Sequence, residues 1–173
     1  MKEFNLLATT SRGFEAQARS ELQFLLEKIG DSTPVVERTG ISGVIAVKTK
    51  IEAITAINQL RTVLHQTPYE FRFVLRVIPI EKVVQTDLEP IQSAVTELAS
   101  NIGENETFRV TVEKRFTAMH SKDIVEKIAS SIKRTVDLTK PDKIVLIEIV
   151  GKFTGISVIR PENTLSVQKE KLL

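Results

Sequence analysis

The strongest constraint on the fold is an order of periodic segments in the first eighty residues. Phe4 to Thr9 reads as a short strand, and a helix follows it with Phe14, Ala18, Leu22, Leu25, Leu26 and Ile29 at three- and four-residue steps. Gly30 supplies its stop. Val35–Arg38 and Val44–Lys48 read as two strands around the turn-forming residues 39–43, and Ala53, Ile57, Leu60 and Leu64 mark a second helix. Phe71 to Val77 then alternates, with Phe71, Phe73, Leu75 and Val77 on one side and Arg72, Val74 and Arg76 on the other. Strand, helix, strand, strand, helix, strand is the ferredoxin-like split unit, in which both helices cover one face of an antiparallel sheet. Arg72 and Arg76 are expected on the other face, available to a ligand or simply to water.

The second half repeats the logic in a different order. Residues 79–86 lack a sustained period and are expected to connect two domains, 1–80 and 81–173. Asp87 is a candidate N-cap with Pro90 in the first turn, and Leu88, Ile91, Val95, Leu98 and Ile102 form one helical stripe ended by Gly103. Thr107 to Glu113 alternates as a strand with Phe108, Val110 and Val112 inward. A helix from about Lys122 to Arg134 is expected to bury Ile124, Val125, Ile128 and Ile132 behind an N-cap at Ser121. Ile144 to Val150 is almost wholly apolar, which suits a strand covered on both faces. Gly151-Lys152 then reads as a type II′ hairpin turn into Phe153–Ile159. The polar tail from Arg160-Pro161 is expected to be loose or packed externally. The fold class is therefore α+β, with a ferredoxin-like domain before an α/β domain.

Composition limits the chemistry. There are no cysteines among the 173 residues, so disulfides, thiolate metal sites and a cysteine nucleophile are excluded. The two histidines, His65 and His120, fall in different domains, without metal-ligand spacing. Glycine-rich nucleotide loops and the nucleophile-elbow pattern are also missing, so no catalytic residue, cofactor or metal is expected. No run approaches the roughly 18 apolar residues of a membrane span, and the N-terminus lacks a signal-peptide core. A soluble cytoplasmic protein is the expectation.

The net charge of +2 says little, but its distribution says more. Between residues 109 and 134, seven cations (Arg109, Lys114, Arg115, Lys122, Lys127, Lys133, Arg134) face three acids, an excess that phosphate capture could use. A strand delivering Lys114 and Arg115 to the start of a helix at His120, Ser121 and Lys122 builds a phosphate pocket. The alternative is that Ser121 only caps the helix, Phe116 and Met119 pack in the core, and the cations are solvated. With 5% aromatic residues, mostly at inward positions, backbone and shape recognition of structured RNA is favoured over reading single strands. A second function class uses the Thr10-Ser11-Arg12-Gly13 loop to hold an anion, as a small-molecule-binding or acyl-phosphate-hydrolysing ferredoxin-like protein.

Four stretches carry a resemblance: GFEAQARSEL (13–22), FRFVLRVIPIE (71–81) with TDLEPI (86–91), ETFRVTVEKRFTAMHSKDIVEKIA (106–129), and VDLTKPDKIVLIEIVGKFTGISVIRP (136–161). On these the chain resembles the THUMP-domain proteins, and in particular stand-alone members that act as adaptors for tRNA cytidine acetyltransferase. The resemblance implies an N-terminal ferredoxin-like domain followed by a THUMP domain. It also implies binding of tRNA, commonly by its 3′ acceptor end. Other members are fused to a methyltransferase, a 4-thiouridine synthetase or a pseudouridine synthase, for which this chain leaves no room. The implied role is therefore non-catalytic, presenting tRNA to an enzyme that forms N(4)-acetylcytidine or to another tRNA-modifying enzyme. By similarity the RNA contacts fall at Lys114, Arg115, His120, Ser121 and Lys122, extended by Lys152, Arg160, Arg72 and Arg76.

Overall fold

The computed structural model describes residues 2–173. The chain divides into two compact units, the first comprising residues up to Ile80 together with Glu162–Leu173, and the second Glu81–Pro161.

In the first unit, strand β1 (Leu6–Thr9), helix α1 (Glu15–Lys28), β2 (Val35–Arg38), β3 (Val44–Lys48), α2 (Ala53–Gln66) and β4 (Arg76–Pro79) follow in order. β1 lies between β3 and β4, antiparallel to both, and β2 pairs antiparallel with β3. One face carries Leu6, Ala8, Ile45, Val47 and Val77, packed against Ala18, Leu22, Leu25 and Leu26 of α1 and Ile57, Leu60 and Leu64 of α2. α1 ends in a Schellman motif. Gly30, at φ 115°, donates to the Glu27 carbonyl while Asp31 N–H donates to Leu26, which satisfies two terminal carbonyls.

Only Arg76–Pro79 of the alternating segment is strand, so the expected run from Phe71 is corrected. The Glu21 carboxylate on α1 accepts the backbone N–H groups of Arg72, Phe73 and Val74 at 2.7–3.1 Å. A side chain thus replaces the neighbouring strand as partner for that backbone.

Three carboxylates stitch this unit together. Glu15 accepts N–H groups from Gly43 and Gly13 at 3.0 and 2.9 Å, and these hold its pKa below the usual carboxylate range. Burial pushes the Asp31 carboxyl up, but hydrogen bonds from the Thr49 hydroxyl and the Lys50 and Thr33 amides outweigh it and leave it lowered. Glu170 is lowered likewise, burial opposing it and His65 and Arg61 prevailing. A carboxylate with a depressed folded-state pKa contributes stability above its unfolded value, about 4, and loses it as pH falls through the folded value. Melting temperature should therefore hold near neutral pH and drop progressively below about pH 4. Thermal melts across that range check this, and a flat or rising profile would contradict it.

The second unit contains β5 (Lys82–Gln85), α3 (Leu88–Leu98), β6 (Thr107–Arg115), α4 (Ser121–Ser131), β7 (Thr135–Val136), β8 (Lys143–Val150) and β9 (Phe153–Ile159). The sheet order is β5-β9-β8-β6-β7, with β6 parallel to β7 and β8 and the remaining pairs antiparallel. Residues expected to be a plain connection thus form the edge strand β5. Its signal was only the pair Val83-Val84 between polar residues, too short to show a period.

Val145, Ile147 and Ile149 of β8 alternate onto Ile91 and Val95 of α3 and Ile124 and Ile128 of α4. Leu146, Glu148 and Val150, on the other face, are buried as well. Asp87 caps α3 by accepting the Leu88 N–H at 2.8 Å. For α4 the N-cap is His120 rather than Ser121, its side chain makes no capping bond, and the helix stops at Ser131. Gly151 has φ 60° whereas Lys152 does not enter the positive region, which matches a type II′ turn.

After Ile159 the chain returns to the first unit. β10 (Leu165–Ser166) pairs with β4, giving the order β10-β4-β1-β3-β2, and α5 (Val167–Lys171) packs on α2. Leu165 and Val167 belong to the first core, and Glu170 bridges Arg61 and His65 at 3.0 and 2.8 Å. The tail, expected to be loose or packed externally at the end of the second domain, is an ordered part of the first unit from Glu162 on. Two apolar residues in a polar segment were enough to anchor it.

Candidate nucleic-acid interface

β6 and β8 run parallel, and their C-terminal ends lie side by side, Arg115 opposite Val150. The Gly151 N–H donates to the Arg115 carbonyl at 2.9 Å, so the β8–β9 hairpin abuts the end of β6. The loop leaving β6 leads directly into α4. Lys114, the 116–120 loop, His120, Ser121, Lys122 and Lys152 thus gather at one end of the second unit's sheet.

Each cation has its own setting. Lys114 stands on the helix-bearing face and donates to the Met119 carbonyl at 3.3 Å, bracing the loop while its charge stays exposed. His120 is exposed at the mouth of α4, where the helix dipole presents about half a positive charge. Lys122 lies 4.0 Å from Glu126, both well exposed, a pairing too weak to remove the lysine from use. Lys152 is exposed at the hairpin tip, and its carbonyl accepts the Thr86 N–H at 2.9 Å.

Arg115 differs. Its side chain is 18% exposed and donates at 2.9 Å to Glu148, whose side chain is 1% exposed. A guanidinium engaged with a buried carboxylate holds the sheet rather than a ligand. Arg109 and Arg134 are half-buried and engaged with the main chain, at the Leu138 carbonyl and at the Ile102 and Gly103 carbonyls respectively. The cationic excess between 109 and 134 therefore rests on its lysines.

Arg160 is elsewhere. It follows Ile159, which pairs with Ile144 at the far end of β8, and it lies 3.8 Å from Glu106. Six residues of strand separate the two ends, about 20 Å. In the first unit, Arg76 is on β4 opposite Thr9, on the face away from the helices. Arg72 is not on the sheet at all, but over the Phe73 ring at 5.6 Å.

In the Thr10–Gly13 loop the Thr10 amide donates to the Gly43 carbonyl and the Gly13 amide to a side chain. The Glu15 carboxylate takes the amides of Gly13 and Gly43, the Thr10 hydroxyl donates to the Phe73 carbonyl, and Arg12 reaches Ser42. A built-in carboxylate sits where an incoming one would be needed.

Sequence reasoning missed Phe116. It has φ 61°, the one described non-glycine residue in the left-handed region, and it is 89% exposed. Of the two apolar residues weighed as core, only Met119 packs there. A phenylalanine after Lys-Arg carries no local sign that its backbone turns left-handed.

A basic strand end beside a helix mouth defines an α/β domain suited to a polyanion. Residues 85–159 match the THUMP domain model, so the second unit is built around a THUMP domain, an RNA-binding module associated with tRNA modification. The chain is 28% identical over 167 residues to the uncharacterized protein MJ0421 of Methanocaldococcus jannaschii, covering 94% of this chain and 42% of that one. Among solved structures it resembles PH1313 from Pyrococcus horikoshii (TM-score 0.58, 21% identity, 91% of this chain and 55% of that one). It also resembles TrmN from Thermus thermophilus (0.55, 16%, 88% and 44%). A 4-thiouridine synthetase solved with RNA and bound ATP aligns as well (0.50, 15%, 91% and 42%). The chain thus spans about half the length of these proteins, or less, and at such identities the structural likeness is one of fold. No helix among the described residues is long and apolar enough to cross a membrane.

Proposed function

We propose that this chain is a non-catalytic, cytoplasmic tRNA-binding protein that grips the 3′ acceptor end of tRNA and presents the molecule to a separate modifying enzyme. The enzyme that best fits the resemblance is the acetyltransferase forming N(4)-acetylcytidine. The observation that carries the reading is the convergence of Lys114, His120, Lys122 and Lys152 at one end of a THUMP domain's sheet. The strand order β4-β1-β3-β2 with two helices on one face supports a ferredoxin-like first domain, the partner expected beside a THUMP domain. The likeness in fold to a synthetase solved with RNA is in keeping with an RNA ligand. The occupied amides around Glu15 speak against the acyl-phosphate alternative.

The test is tRNA binding across a salt series, with wild type compared with the Lys114→Ala, Lys152→Ala double variant. The plot of log affinity against log salt should flatten by about 0.7–0.9 for each phosphate no longer neutralised, and affinity should fall similarly on different tRNAs. Salt-insensitive wild-type binding, or a double variant that binds equally well, would sink the assignment. Acetylation of tRNA by the purified acetyltransferase, with and without this chain, tests the adaptor role.

A further inference from the structure

We propose that Phe116 is a stacking platform for an unpaired base, so that the site reads a single-stranded end of a structured RNA and not only its phosphates. The inference rests on the RNA-binding reading above and adds a specific base-stacking residue to it.

The backbone at Phe116 is in a region that L-residues avoid because Cβ crowds the following carbonyl. Glycine would make the same turn without strain, so a large side chain here serves something other than the turn. The strain is held from both sides. Before it, Arg115 is fixed by Glu148 and by the Gly151 amide. After it, Met119 packs on the core, its carbonyl accepts from Lys114, and its amide donates to the Thr117 hydroxyl. Between these anchors the chain turns an aromatic ring out to 89% exposure.

The neighbourhood selects the ligand. Lys114, His120, Lys122 and Lys152 share that end of the sheet, with Asp123 the acid in the first turn of α4. Lysine is depleted in protein–protein interfaces, whereas a ring set among exposed lysines suits a base stacked on the ring with its phosphate on a cation. Bases inside a duplex are already stacked, so only an unpaired or terminal base offers a free face.

The chain has no tryptophan, so Phe116→Trp places a sole indole at the site. The probes are a short RNA hairpin with an unpaired 3′ tail and the same hairpin cut blunt. Phe116→Trp should bind the tailed hairpin like wild type, with its emission quenched by the tailed RNA and not by the blunt one. Phe116→Leu, which keeps apolar bulk but has no ring, should weaken tailed-hairpin binding by about 5- to 100-fold, with the salt slope unchanged. Wild-type affinity in Phe116→Leu overturns the stacking role and leaves RNA binding standing. Absence of salt-sensitive RNA binding in wild type overturns both. Loss of a co-purifying protein from Phe116→Leu with RNA affinity intact assigns the ring to a protein interface and overturns the proposal.

Discussion

Arg115→Met should destabilise the protein by about 3–5 kcal/mol, the cost of breaking a buried ion pair from one side. Glu148 sits in the central strand β8 with 1% of its side chain exposed, so water cannot replace the missing guanidinium. The swap keeps much of the arginine's apolar stem, so the loss reports on charge rather than packing. Changing Glu148 to Gln in the same background should recover part of the stability, because a neutral amide costs less to bury than a carboxylate that has lost its guanidinium. Urea unfolding of the single and double variants measures both effects. A single variant within about 0.5 kcal/mol of wild type would show that the pair contributes little. The result bears on RNA binding directly: a Lys114, Arg115 double alanine would confuse weakened binding with weakened folding, which is why Lys152 is the better companion.

Deleting residues 162–173 should cost the first unit on the order of 5 kcal/mol or more, a large part of a typical domain's roughly 5–15 kcal/mol. The segment contributes two fully packed apolar residues, Leu165 and Val167, and the pairing of β10 with β4. Arg61 is held on it by Glu170 and by the carbonyls of Glu162 and Thr164, and Lys171 donates to the Phe71 carbonyl. The milder Leu165→Ala should cost about 2–4 kcal/mol. Calorimetry or urea unfolding distinguishes these values, and a deletion that melts like wild type would show the tail to be dispensable.

Much of the architecture was legible because its helices are amphipathic and its central strands apolar. α1, α2 and α3 have buried faces at helical spacing, and β8 is a near-continuous apolar run. What escaped notice was short, at an edge, or determined by distant residues. β5 and β7 are four and two residues long. The Phe71–Leu75 alternation was overruled by one carboxylate, Glu21, some fifty positions away in sequence. At the candidate site the lysines were legible as a local excess of charge. The engagement of Arg115 was not, because Glu148 lies in an apolar strand 33 residues later. Nor was the outward turn of Phe116, which shows only in a backbone angle.

The return of the chain to its first unit after Pro161 also sets an order of assembly. During synthesis every residue of the Glu81–Pro161 unit is added before Leu165 and Val167, which belong to the N-terminal core. The part translated first is therefore the last to be finished, since the whole second unit must be synthesised before the core of the first can close.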